Sequence, residues 1–356
     1  MNRALVFGGA GFIGSNLSKN LLESDYKLTV FDSLARRGSE RNLQWLKQID
    51  TEKKMTFIHG DVRDFAAVQD AVEEADEVFH LAAQVAVTTS VDSPRTDFEI
   101  NALGTLNVLE AVRTSGRKTP IVFTSTNKVY GGLEDIRTVE GEFRYELCDV
   151  PFGVPESRPL DFHSPYGCSK GAADQYVRDY SRIYDIPAVV FRMSCIYGPR
   201  QFGNEDQGWV AHFMIAAATG KPITIYGDGK QVRDVLFVED LVRALRTAVE
   251  KIDVTAGQIY NIGGGPENAL AVWSEFGGLL AELKGDRIPV KFAGWRPGDQ
   301  PCYISDVRKA GVEMGWQPRI NKRAGITKLW EWVSSNIALF EMAPEAKTAE
   351  PEEVAA

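Results

Sequence analysis

The chain has 356 residues, 44% of them hydrophobic, and a formal net charge of -9. That length supports a substantial core in one or two domains, and the acidic balance gives no footprint for nucleic acid or an anionic membrane. An anionic substrate therefore has to be met by a local arginine cluster. Met1-Asn2-Arg3-Ala4-Leu5-Val6-Phe7 runs straight into a strand and a glycine loop, which predicts a cytoplasmic protein with no signal peptide. No apolar run approaches membrane-spanning length. Cys148, Cys168, Cys195 and Cys302, like His59, His80, His163 and His212, are scattered without metal-ligand spacing; free thiols and no metal site are expected.

Leu5-Val6-Phe7 predicts a strand that ends at Gly8-Gly9-Ala10-Gly11-Phe12-Ile13-Gly14, and residues 16–23 then repeat apolar side chains at helical spacing. Further strands are predicted at Lys27-Leu28-Thr29-Val30-Phe31, Met55-Thr56-Phe57-Ile58, Glu77-Val78-Phe79-His80, Ile121-Val122-Phe123 and Ala188-Val189-Val190-Phe191. Residues 101–113 predict a helix whose buried stripe is Leu103, Leu106, Val108, Leu109 and Val112. Such alternation implies an α/β fold, a Rossmann-type doubly wound parallel sheet with its ligand at the carboxyl ends of the strands. Residues 133–162, long, irregular and carrying prolines at 151, 155 and 159, predict a flap near the substrate.

Beyond Arg192 glycine, proline and aromatic residues become frequent, as in Tyr197-Gly198-Pro199-Arg200-Gln201-Phe202-Gly203 and Trp295-Arg296-Pro297-Gly298-Asp299. This predicts a smaller, loop-rich α/β substrate lobe. The expected division is residues 1–191 plus about 230–263 for the cofactor domain and 192–229 plus about 264–338 for the lobe. The last segment, 342–356, rich in Ala, Glu and Pro, is expected to be a disordered tail.

Three glycines, Gly8, Gly11 and Gly14, follow a strand and open a helix, where backbone amides and the helix dipole hold a pyrophosphate. Asp32, closing the next strand, is placed to accept hydrogen bonds from an adenosine ribose, which favours NAD over NADP. Arg36 and Arg37 pull the other way, since a guanidinium there could serve a phosphate. Asp61, in the Gly60-Asp61-Val62 turn, is the candidate acceptor for the adenine amino group. Tyr166 and Lys170 lie four apart on a predicted helix and share a face. A neighbouring ammonium favours a phenolate, so Tyr166 is expected to titrate toward neutrality and act as a base.

Together these motifs resemble the extended short-chain dehydrogenase/reductase family, the NAD-dependent epimerases and dehydratases, over about residues 1–335. His80-Leu81-Ala82-Ala83-Gln84, Asn101-Ala102-Leu103-Gly104-Thr105, Tyr197-Gly198-Pro199-Arg200 and Tyr226-Gly227-Asp228-Gly229-Lys230-Gln231-Val232-Arg233-Asp234 match family blocks. The resemblance implies Thr126 as the catalytic hydroxyl, Tyr166 as base and Lys170 as its partner, the last also holding the nicotinamide ribose. The expected NAD-binding set is Gly8, Gly11, Phe12, Ile13, Gly14, Asp32, Arg37, Asp61, Val62, Leu81, Ala82, Ala83, Gln84, Asn101, Ser125, Tyr166 and Lys170. Two positions depart from the pattern: Phe7 replaces a usual threonine and Cys195 a frequent asparagine.

Sugar 4,6-dehydratases of the family carry an Asp-Glu pair after the catalytic hydroxyl, where this chain has Asn127 and Lys128. An amide cannot exchange protons at neutral pH, so elimination lacks its acid. The segments 123–131, Gln84-Val85-Ala86-Val87-Thr88-Thr89-Ser90 and 159–167 are similar to those of the family's CDP-sugar 2-epimerases. The implied activity is inversion at carbon 2, with CDP-paratose and CDP-tyvelose the expected pair, by transient oxidation on tightly held NAD. The diphosphate needs an anchor, for which arginines are suited: Arg233 and Arg296 are the candidates, with Lys221 and Gln201 behind them and Thr89, Thr126 and Asn127 nearer the sugar. A UDP-hexose 4-epimerase shares nearly every motif, and a non-catalytic NAD sensor shares the fold. By the same resemblance a homodimer or homotetramer is expected, through helices that include that of Tyr166.

Overall fold

The computed structural model describes residues 1–296 and 299–341. Its central sheet has seven parallel strands: β1 (Asn2–Phe7), β2 (Tyr26–Asp32), β3 (Met55–His59), β4 (Glu77–His80), β5 (Ile121–Thr126), β6 (Ala188–Met193) and β7 (Ile259–Ile262). Their order is β7-β6-β5-β4-β1-β2-β3. Side chains alternate between two covered faces. Val6, Val30, Val122 and Phe191 pack under helices α1 (Phe12–Leu22), α2 (Ser39–Ile49) and α6 (Val238–Glu250) through Leu17, Leu46 and Leu241. Leu5, Phe7, Phe123 and Val190 face α3 (Phe65–Glu73), α4 (Gly104–Thr114) and α5 (Ser164–Tyr184) through Val68, Leu109 and Val177. Each such side chain contributes about 1.5–3 kcal/mol by leaving water. The chain winds outward in opposite directions from β1 and β4, which opens a crevice at their carboxyl ends. The doubly wound fold is as the sequence implied.

The helix expected at 101–113 differs in its first turn. Residues Glu99–Leu103 form a π-helical turn ahead of α4, and Leu103, assigned to the buried stripe, is exposed there. The wider turn carries Asn101 inward, as π turns often do at functional sites.

The lobe is built around the strand Val232–Phe237, which pairs with Cys195–Tyr197, Ala269–Ala271 and Cys302–Tyr303. Residues 232–237 thus join the lobe's sheet rather than the central one, while α6 directly after them packs on the central sheet. The 133–162 segment contains a hairpin, Thr138–Glu140 with Tyr145–Leu147. It is tied to the lobe by Tyr145 Oη donating to Asp228 (2.7 Å) and Lys230 Nζ donating to Glu140 (2.7 Å). The expected tail 342–356, and Pro297 and Gly298, lie outside the described residues.

Glu77 lies buried at the amino-terminal end of β4, remote from the crevice. Burial pushes its carboxyl up to about 7, the nearby Asp76 and Glu250 add to this, and Arg246 and Tyr26 offset only part of it. The folded state therefore binds this proton more tightly than the unfolded chain does. The resulting stability is complete below about pH 4.5 and is lost as pH climbs through about 7. Urea unfolding of Glu77→Gln and the parent should show the parent losing on the order of 3 kcal/mol more between about pH 5 and pH 8. Identical pH dependence in the two proteins would contradict this.

Candidate active site

The crevice begins where β1 ends. Gly8 has φ +76°, and a Cβ on it would come 2.8 Å from the Ala82 nitrogen. A Cβ on Gly14 would come 2.0 Å from the Gly8 carbonyl oxygen. Both positions need glycine because the loop, α1 and the end of β4 close on one another. No side chain caps the first turn of α1, so the amides of Phe12, Ile13 and Gly14 remain available to an anion. Asp32 Oδ2 accepts from Ala10 N (3.0 Å) and Oδ1 from Leu34 N (2.8 Å), which ties the loop to β2. Burial raises its carboxyl, against those amides. At the end of β5 the Ser125 hydroxyl is buried with no protein partner, which suits a bound polar group. The glycine cradle and this orphaned hydroxyl fit a dinucleotide.

The remaining cofactor candidates frame the same crevice. Leu81 N donates to Phe7 O (2.9 Å), placing residues 81–84 beside the glycine loop. Asn101 Oδ1 accepts from Gln84 N (2.9 Å), and its Nδ2 reaches Gln84 O, Asp97 Oδ1 and Ser169 Oγ, each at 3.1 Å. Asn101 therefore locks the 81–84 segment to the helix that bears Lys170. Asp61 turns onto Arg63, accepting from Nε (3.0 Å) and Nη2 (2.7 Å). Burial pushes the Asp61 carboxyl up, but Arg63 outweighs it and holds the group below its usual range. Val62 is buried, and Asn107 Nδ2 donates to its carbonyl (2.9 Å). Of the two arginines after Asp32, Arg36 faces the site: it donates to Gln207 Oε1 (3.0 Å), and Tyr166 and Asp32 lie within its electrostatic reach. Arg37 is exposed.

Thr126, Tyr166 and Lys170 come together. Thr126 is the last residue of β5, and its Oγ1 accepts from Lys128 N (3.2 Å), capping the short turn Asn127–Tyr130. Its hydroxyl favours the ionised form of the Tyr166 phenol. Lys170, 2% exposed, donates to Thr124 O (2.6 Å) with its ammonium 4.2 Å from the centre of the Phe123 ring. One expectation is overturned here. Burial pushes the Tyr166 phenol up to about 12, with the Thr126 hydroxyl and Arg36 working against it, and Asp97 adding to the rise. Lys170, aimed at a carbonyl and itself lowered to about 7 by burial, does not pull the phenol toward neutrality.

The substrate candidates divide. Arg233 and Arg296 line one cleft of about 130 Å³ together with Trp209, Phe213, Tyr226 and Asp299. Arg233 Nη2 bonds Asp299 Oδ1 (2.7 Å). The Arg296 guanidinium stacks 3.9 Å from the centre of the Tyr226 ring and donates to Glu205 O (3.0 Å). Gln201 is buried, donating to Ile196 O (3.3 Å) with its Oε1 unpartnered. Asn127 Oδ1 accepts from Thr126 Oγ1 (3.4 Å). Thr89 is exposed on the helix Val87–Asp92, and Lys221 is exposed beyond Trp209–Ala218, outside the lining of that cleft.

Several positioning residues had no readable signal. Ser90 Oγ, buried, accepts from Tyr166 N (3.1 Å) and so seats the first turn of α5. Ser169 Oγ donates to Asp97, which lies within electrostatic reach of Lys170. Arg192 and Asp174 form a buried two-bond ion pair (2.9 Å each), and Arg192 Nη1 donates to Tyr130 Oη (3.1 Å), fixing the turn after Thr126. Among the described residues no group of three or more His, Cys, Asp or Glu side chains could hold a metal ion.

A family model described as GDP-mannose 4,6 dehydratase matches residues 5–329. The CDP-paratose 2-epimerase of Salmonella typhi is 44% identical over 344 residues, covering 94% of this chain and 99% of that protein. The solved dTDP-glucose 4,6-dehydratase of Streptomyces venezuelae, with NAD bound, superposes with a TM-score of 0.82 at 29% identity, covering 95% of this chain and 99% of that one. The UDP-glucose 4-epimerase of Thermotoga maritima, with UDP-glucose, gives a TM-score of 0.80 at 30% identity, covering 94% and 99%.

Proposed function

The chain belongs to the extended short-chain dehydrogenase/reductases, the NAD-dependent epimerase/dehydratase family, and on that footing we propose that it inverts carbon 2 of a CDP-linked sugar. The observation that carries this is the grouping of Thr126, Tyr166 and Lys170 at the end of β5, followed by Asn127 and Lys128 where elimination needs two acids. Likeness to the Salmonella typhi enzyme at 44% identity favours CDP-paratose over other nucleotide sugars.

A carbon–hydrogen bond with no adjacent carbonyl is too weakly acidic for any side chain, so inversion requires oxidation first. NAD, held by the glycine loop at Gly8, Gly11 and Gly14 with Asp32 and Ser125, would supply the hydride acceptor for the oxidation and the donor for the return. Tyr166 is placed to take the proton of the 2-hydroxyl as a phenolate, a form that the positive nicotinamide of NAD would favour against burial, and Thr126 at the end of β5 steadies the same oxygen. Lys170, on the same helix, holds the end of β5 through Thr124 O. Arg233 and Arg296 hold the diphosphate while the ketose turns. The proton then returns from Tyr166, and nothing is consumed.

Exposed apolar residues on α5 and the segment before α4, Tyr176, Ile183, Tyr184 and Phe98, support assembly through these helices into a homodimer or homotetramer. Among the described residues no helix is long and apolar enough to cross a membrane, and the exposed free thiols Cys148 and Cys168 suit a reducing cytoplasm. The second reading, inversion at carbon 4 of a UDP-hexose, draws on the likeness to the Thermotoga maritima structure. Incubation with CDP-paratose and, separately, UDP-glucose, followed by NMR, separates the two. Inversion of CDP-paratose at carbon 2 with UDP-glucose unchanged is expected. Inversion of UDP-glucose at carbon 4 would overturn the assignment.

A further inference from the structure

After the strand Cys195–Tyr197 the chain leaves the lobe's sheet and crosses helices α1 and α2 of the cofactor domain. Two asparagines hold its carbonyls there. Asn16 Nδ2, on α1, donates to Pro199 O (3.0 Å), and Asn42 Nδ2, on α2, donates to Arg200 O (3.3 Å). Arg200 has φ +70°, a left-handed backbone that a residue other than glycine keeps only where its surroundings enforce it. Its guanidinium lies 4.0 Å from the centre of the Trp45 ring and 5.8 Å from that of Trp332. Trp45, on α2, packs on the core of the cofactor domain, and Trp332, on the helix Lys322–Ser335, packs on that of the lobe. Burial lowers the guanidinium to about 10, so it stays charged at neutral pH. One cation thus bridges two cores.

The same crossing reaches the loop after Asp32. Gly38, which opens α2 with φ +88°, lies so close to the Phe202 ring that a Cβ on it would come 2.2 Å from a ring carbon. Phe202 in turn meets Trp332 edge-on at 6.5 Å. Arg36 Nη2 donates to Gln207 Oε1 (3.0 Å). Residues 33–38, between the candidate ribose acceptor Asp32 and α2, are therefore pinned from the lobe at Arg36 and again at Gly38. We infer that the segment 199–207 is a buckle that locks NAD in place, with Arg200 as its central positioning residue, and that the cofactor leaves only when this crossing lifts off α1 and α2. Pro199, Arg200, Phe202 and Gln207 stand outside the lining of the cleft of Arg233 and Arg296, so the nucleotide sugar is exchanged while the buckle stays shut. An enzyme that must return the hydride it has just taken needs that separation, because loss of the reduced cofactor would strand the oxidised sugar. The inference rests on NAD as cofactor and not on which sugar or carbon is turned over.

Exchange of bound NAD tests it. Protein loaded with NAD is mixed with a large excess of NAD deuterated on the nicotinamide ring, and the two bound forms are followed by native mass spectrometry. Arg200→Leu, which keeps an apolar side chain between the rings but removes the cation, should speed exchange about 10- to 30-fold, the weight of a desolvated cation–π contact. Arg200→Lys should restore most of the slow exchange. In both variants the affinity of the NAD-saturated protein for CDP, by calorimetric titration, should stay within about threefold of the parent's. Exchange by Arg200→Leu at the parent's rate would overturn the inference. So would a CDP affinity that falls by the factor by which exchange rises, since the lobe would then be loosened as a whole. Should Arg200→Leu melt early, Gln207→Ala takes its place: loss of the bond to Arg36 should speed exchange several-fold, and an unchanged rate would overturn the buckle. Either failure leaves the epimerase reading standing. If the parent binds UDP but not CDP, the choice of base fails instead, and UDP serves as the control ligand.

Discussion

Tyr166→Phe should lower epimerisation by about 10²- to 10⁴-fold, the range of positioned proton transfer, with NAD content and melting temperature close to those of the parent. The small structural cost follows from how the side chain is held. Its ring stays buried, its backbone amide is seated on Ser90 Oγ (3.1 Å), and its phenol, pushed up to about 12, is neutral. Removing the hydroxyl strands no buried charge. Thr126 Oγ1 keeps its bonds to Lys128 N and Asn127 Oδ1. Rates with CDP-paratose and bound NAD measured on the same preparation decide the matter. Unchanged turnover would remove Tyr166 from the mechanism, whereas joint loss of turnover and NAD would reveal a structural role.

Asp174→Ala should be the most damaging single change to the fold, costing about 3–5 kcal/mol in urea unfolding. Asp174 and Arg192 are 0% and 3% exposed at their side chains and share two hydrogen bonds at 2.9 Å. Deleting the carboxylate leaves a guanidinium buried without its counter-charge. The effect reaches the site by two routes. Arg192 also donates to Tyr130 Oη, so the turn carrying Asn127 and Lys128 loosens. Asp174 further raises the Lys170 ammonium, which burial lowers to about 7; without it less of Lys170 is charged at neutral pH. A loss below about 1 kcal/mol would mean that the pair is not a principal support of this region.

What the sequence made legible was local. Gly8, Gly11 and Gly14 follow a strand at fixed spacing, Asp32 closes the next strand, and Tyr166 and Lys170 share a helix face, so each can be read within a few residues. What stayed hidden depends on tertiary approach. Ser90 and Tyr166 are 76 positions apart, and Asp97 and Ser169 are 72 apart; neither pair leaves a mark in any short window. The π turn at 99–103 moved Leu103 out of the stripe that helical periodicity assigned to it. Lys221 was weighed by charge alone and lies exposed. The phenol's acidity was misjudged for the same reason: a four-residue spacing shows that Tyr166 and Lys170 share a face, not that the ammonium points to Thr124 O.

CDP-paratose carrying deuterium at carbon 2, converted in ordinary water and analysed by NMR and mass spectrometry, tests the hydride account most directly. Transient oxidation on retained NAD predicts a product inverted at carbon 2 that keeps the deuterium there, with no solvent hydrogen incorporated. Loss of the label to water at the rate of inversion would show that a side chain removes carbon 2 hydrogen as a proton, and would contradict hydride transfer at Thr126 and Tyr166.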